Sequence, residues 1–169
     1  MAILFMLVAE CGSDEPSAHR IVEHFLQVSW VLSDGSPMFF KSDSNDVWCR
    51  GGVFWCSVFP DGVSASGASQ RITSDALRVE IVKRGYQELR RVDLFRFALI
   101  GWEAATQCDL DEILQAMVDP DSLPRGLVIN DDLWSKLGSP RAFERFGQRS
   151  WWRPLRDQDY LNLVSTRRR

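Results

Sequence analysis

Apolar positions fall into two rhythms along the chain, and the changes between them divide it into elements. The run Ile3–Ala9 is continuously apolar and stops at Glu10. A short unbroken run of this kind predicts a strand buried on both faces. Ser13-Asp14-Glu15-Pro16 then supplies a capping residue and a proline suited to a first helical turn. Ala18, Ile21, Val22, Phe25 and Leu26 recur at i, i+3, i+4, i+7 and i+8, which predicts a helix over 17–28 lying on a sheet.

From 30 to 67 the rhythm shortens. Asp34-Gly35, Ser42–Asp46, Gly51-Gly52 and Asp61-Gly62 separate short apolar runs, as hairpin turns with positive φ require. With Gly51-Gly52 as a two-residue loop, Arg50 pairs with Val53, Cys49 with Phe54 and Trp48 with Trp55, so two indoles meet on one face. The stretch 62–67 reads as an exposed strand.

A helix is expected from Thr73 or Ser74 to Arg84, with Asp75 in its first turn, Lys83 and Arg84 in its last, and Gly85 as terminator. The alternation of Leu77, Val79 and Ile81 offers a strand instead, but the start and stop signals favour the helix. Strands are expected over 86–92 and 94–102. A short helix follows from Asp109 or Asp111, with Leu110, Ile113, Leu114 and Met117 inward, ending at Asp119-Pro120. The remainder reads as a strand over 126–130, a helix over 131–137 stopped by Gly138, a helical piece to Phe146, and an aromatic strand at Trp151-Trp152.

Together these elements predict a single α+β domain over 1–169, with a largely antiparallel sheet, hairpins within 46–67 and several short packing helices. The weakest seam is 119–126. At 169 residues the chain can bury a core without metal or disulfide support. The four cysteines, Cys11, Cys49, Cys56 and Cys108, are widely spaced in apolar stretches and are expected to be free and buried. The first apolar run lacks a preceding basic residue and is too short for a secretory signal, and no segment reaches the ~20 apolar residues of a membrane span. A cytoplasmic location is expected.

Composition adds one anomaly and one asymmetry. Seven tryptophans is several times ordinary usage, and tryptophan is a favoured anchor in binding surfaces. The net charge of −3 combines −7 over residues 1–120 with +4 over 121–169. Such a distribution suits a basic partner and discourages nucleic acid, despite the terminal Arg167-Arg168-Arg169.

Catalytic signatures are absent. His19 and His24 are five helical positions apart, hence roughly 140° apart around the axis, and cannot share a metal. There is no G-x-S-x-G, no phosphate-binding glycine loop and no cluster at metal spacing, so no cofactor is expected. Glu10 beside Cys11 disfavours a thiolate there. Acidic residues concentrate instead in turns and helix starts: Asp43 and Asp46; Asp109, Asp111 and Glu112; Asp119 and Asp121; Asp131 and Asp132.

The expected partner-binding set is therefore Asp43, Asp46, Trp48, Trp55, Asp109, Asp111, Glu112, Asp119 and Asp121. The function it suggests is a small inhibitory protein, an immunity protein whose acidic and aromatic side chains occlude the active site of a basic bacterial toxin. Two alternatives stand beside it. One is a small enzyme built around Cys11, His24 and Glu103; the other is an oligomeric subunit joined through Trp151 and Trp152.

Overall fold

The computed structural model describes residues 5–63, 71–102, 104 and 123–164. Within them, nine strands and four helices follow one another as β1 (Phe5–Glu10), α1 (Glu15–Gln27), β2 (Ser29–Val31), β3 (Pro37–Lys41), β4 (Val47–Arg50), β5 (Val53–Pro60), α2 (Asp75–Leu89), β6 (Phe97–Trp102), β7 (Val128–Asn130), α3 (Asp131–Lys136), β8 (Glu144–Arg145), β9 (Ser150–Trp152) and α4 (Asp157–Val164). This is the mixed α+β architecture expected. All strand pairs are antiparallel, in the order β2-β3-β5-β1-β6-β7-β9-β8, and β4 lies against the first half of β5.

β1 is central, flanked by β5 and β6, and every one of its residues is buried. That is why its sequence is continuously apolar rather than alternating. Phe5, Leu7 and Ala9 point into a core covered by α1, α2 and α4, while Met6 and Val8 point into a second core that includes α3. β6 divides its residues the same way: Ala98 and Ile100 join the first core, Phe97 and Leu99 the second.

α1 matches its sequence pattern. Asp14 caps it by accepting from Ser17 N at 3.0 Å, Pro16 sits in the first turn, and Ala18, Ile21, Val22 and Phe25 are buried. The hairpin at Gly51-Gly52 also forms in the expected register, and both glycines have positive φ, +61° and +80°.

Several boundaries differ from expectation. α2 does not end at Gly85 but continues to Leu89, so 86–89 is helix rather than strand. Gly85 serves packing: a Cβ there would lie 3.0 Å from Ile100 Cδ1, so the missing side chain lets α2 approach β6. Extending the helix carries Tyr86 inward, where its hydroxyl donates to Gly126 O at 2.8 Å, and buries Leu89 fully. The expected helical piece before Phe146 is the two-residue strand β8, which pairs with β9. α4 carries no expected counterpart. Cys49 faces solvent, whereas Cys11 and Cys56 are buried, and all three are free thiols. The expected strand over 62–67 and the helix from 109 lie largely or wholly outside the described residues, as does the first half of the seam at 119–126.

Candidate functional site

The sheet register assembles something that no local pattern contains. Reading directly opposed partners from one strand to the next, Trp48 faces Trp55, Trp55 faces Glu10, Glu10 faces Phe97, Phe97 faces Ile129, Ile129 faces Trp151, and Trp151 faces Arg145. Seven residues from seven strands thus form one row across the sheet. At about 4.8 Å per strand gap the row spans roughly 29 Å. Phe97 and Ile129 lie in the second core, with Trp48, Trp55 and Trp151 packed at its border.

A stacked indole pair stands at one end of the row and another beside the other end, next to Arg145. Trp48 and Trp55 stack with centroids 6.2 Å apart and planes 12° from parallel. Trp151 stacks on Trp134 of α3 at 3.9 Å and 4°, with the Arg145 guanidinium 4.8 Å from the Trp151 ring. All four indoles are half-buried, and Trp151 Nε1 donates to Asp131 Oδ1 at 2.7 Å. Beyond the first pair the tip of the β4–β5 hairpin faces solvent: Cys49, Arg50, Gly51 and Gly52 are exposed. Immediately before β4, Asp43 and Asp46 share one turn, closed by the Asp46 amide donating to Asp43 O at 3.1 Å.

The middle of the row holds a buried acid. Glu10 is fully inaccessible to solvent. Trp55 and Phe97, from the strands on either side, meet edge to face at 5.3 Å and so close over β1 where Glu10 lies. Its Oε1 accepts from the Gly12 amide and stands 3.4 Å from Arg96 Nη1. Its Oε2 is buried and accepts no hydrogen bond from the described residues. Burial raises the Glu10 pKa, with Arg96 and the Gly12 amide pulling in the other direction.

Arg96 connects this acid to a polar cleft of about 180 Å³ at the strand ends, lined also by Asp14, Ser17, Asp93, Asn130, Asp131, Asp132 and Arg149. Two helices start here. Asp14 caps α1, and Asn130 caps α3 by accepting from Leu133 N at 2.9 Å. Hydrogen bonds from the Ser17 hydroxyl and amide hold Asp14 below the usual carboxylate range. At Asp131 burial works against ionisation, but donors from Trp151 and Arg145 outweigh it and lower the pKa. Asp93 Oδ2 accepts the Arg149 amide at 2.8 Å.

Of the residues expected to bind a partner, the structure brings Asp43, Asp46, Trp48 and Trp55 together around one hairpin. Asp109, Asp111, Glu112, Asp119 and Asp121 lie outside the described residues. Glu103 and Cys108 do as well. Cys11 is 5% exposed, and its thiol contacts that of Cys56, a contact that together with burial pushes the Cys56 thiol pKa well up. His24 pairs instead with Glu88 at 3.1 Å, and Glu88 is further held by Arg91 at 2.9 Å. Trp152 packs against Tyr86 and Phe146 within the chain. Among the described residues, no group of three or more His, Cys, Asp or Glu is arranged to hold a metal ion. No helix among them is long and apolar enough to cross a membrane.

Sequence reading missed Glu10, Arg96 and the Trp134–Trp151 stack. One signal was present. Met6, Val8 and Glu10 occupy alternate positions of a strand, so the acid had to point the same way as two core residues.

No protein-family model matches the chain, and neither the curated proteins nor the solved structures contain a match to it.

Proposed function

We propose that this chain is a stoichiometric inhibitory protein, an immunity protein that occludes the active site of a cognate bacterial toxin. The observation that carries the reading is the stacked Trp48–Trp55 pair on a hairpin whose tip is exposed, with Asp43 and Asp46 in the turn at its base. Large, rigid, half-buried aromatics beside exposed charge have the character of interface hot spots, where a central anchor is desolvated and the surrounding charges steer approach. The acids fit a basic substrate-binding surface on the toxin, and the indoles fit its cleft.

Affinity capture of the tagged protein from its native host, at moderate salt, tests this. A single basic partner recovered near one-to-one, lost on Trp48→Ala with Asp46→Asn, supports the reading. Host cells that tolerate loss of the gene while the captured partner is expressed would overturn it.

A further inference from the structure

Arg96 stands between two sets of carboxylates. Inward is Glu10, fully buried, with Oε1 3.4 Å from Arg96 Nη1. Outward is the cleft that Arg96 lines together with Asp14, Asp93, Asp131 and Asp132. The side chain reaches both because of Gly12. That residue has φ +64°, and a Cβ on it would fall 2.9 Å from Arg96 Cδ, so the arginine stem lies directly across the glycine.

We infer that Glu10, Gly12 and Arg96 form a proton-operated latch. With Glu10 ionised, Arg96 is held inward against the core; with Glu10 protonated, Arg96 swings outward to the cleft carboxylates.

The order of titration gives the latch its direction. Ionised Glu10 is held by one amide and one ion pair, while its Oε2 accepts nothing from the described residues and burial favours the neutral form. Asp14 and Asp131 are shifted the other way by the donors on them. Acidification therefore neutralises Glu10 while Asp14 and Asp131 still carry charge, and the guanidinium follows the charge. The elements packed around Glu10 add few other titratable groups. β5 and β6 present Trp55 and Phe97, both uncharged; the segment before β6 contributes Asp93 and Arg96; the α1 and α3 starts contribute Asp14, Asp131 and Asp132; the turn before β9 contributes Arg149.

Nuclear magnetic resonance of the isotope-labelled full chain tests this, titrating from neutral pH to the ordinary glutamate range near ~4.3. The Arg96 Nε signal is assigned by its loss in Arg96→Lys. The expected result is an Arg96 shift sharing the midpoint of the Glu10 carboxyl carbon, while Overhauser contacts from the Arg96 δ protons move from Gly12 to Asp93 or Asp131. In Glu10→Gln the Arg96 signal stays at its acid-limit position at every pH. Contacts to Gly12 that persist through the Glu10 titration overturn the latch. The wild-type titration decides this even where Glu10→Gln fails to fold.

Discussion

A carboxylate with no solvent exposure is costly unless its surroundings compensate it, and at Glu10 compensation is incomplete. The raised pKa fixes the sign of its pH dependence. The native state binds the Glu10 proton more tightly than the unfolded chain, so this residue's contribution to stability is full below the unfolded pKa. It is lost as pH rises through the folded value. Glu10→Gln removes that dependence. Its thermal midpoint should gain on wild type as pH rises across that window, and the difference should level off once wild-type Glu10 is fully ionised; calorimetry at a series of pH values measures it. Gly12→Ala imposes a left-handed backbone on an L residue, at about 1–2 kcal/mol, and displaces Arg96 as well. Urea unfolding should register a loss of at least that size.

Among the elements, those legible in the sequence are the ones whose determinants lie close together in it. α1 has its cap, its proline and its apolar stripe within a dozen or so positions, and it forms over Glu15–Gln27. The β4–β5 hairpin is fixed by two adjacent glycines with positive φ, which set its register residue by residue. Replacing Gly52 with Val should therefore cost about 1–2 kcal/mol and loosen the Trp48–Trp55 stack. Near-ultraviolet circular dichroism, which reports stacked indoles, would lose intensity. The end of α2 is not legible in the sequence because Gly85 resembles a helix terminator. Its reason for being glycine is Ile100, fifteen positions on, and only the packed helix and strand reveal that contact. β8 could not be read at all, since two residues carry no periodicity and its identity rests on pairing with β9.

For the whole molecule, the relevant object is the seven-strand row with the Trp48–Trp55 pair at one end and the Trp134–Trp151 stack beside Arg145 at the other. If the Trp48–Trp55 end anchors a partner, Trp48→Ala should weaken binding at least about 10-fold, mainly through faster dissociation. Asp43→Asn with Asp46→Asn should instead slow association and reduce its salt dependence, because exposed charges act at a distance and are screened. Surface plasmon resonance at two ionic strengths separates the two effects. Equal effects on both rates from either variant would contradict the division of labour between anchor and steering charge.

The sequence by itself determined what short-range physics controls: helix stripe and cap, hairpin turn and register, and an antiparallel α+β class. It also placed Trp48 and Trp55 in one hairpin with Asp43 and Asp46 in the turn before it, since all four fall within thirteen consecutive residues. Only the tertiary structure decided that Glu10 lies between Trp55 and Phe97, or that Trp151 closes the same row beside Arg145. The physical reason is the order of strands. A side chain's cross-strand neighbours belong to whichever strands pair beside it, and here β1 is set between β5 and β6 by the joint burial of two cores rather than by any signal within its six residues.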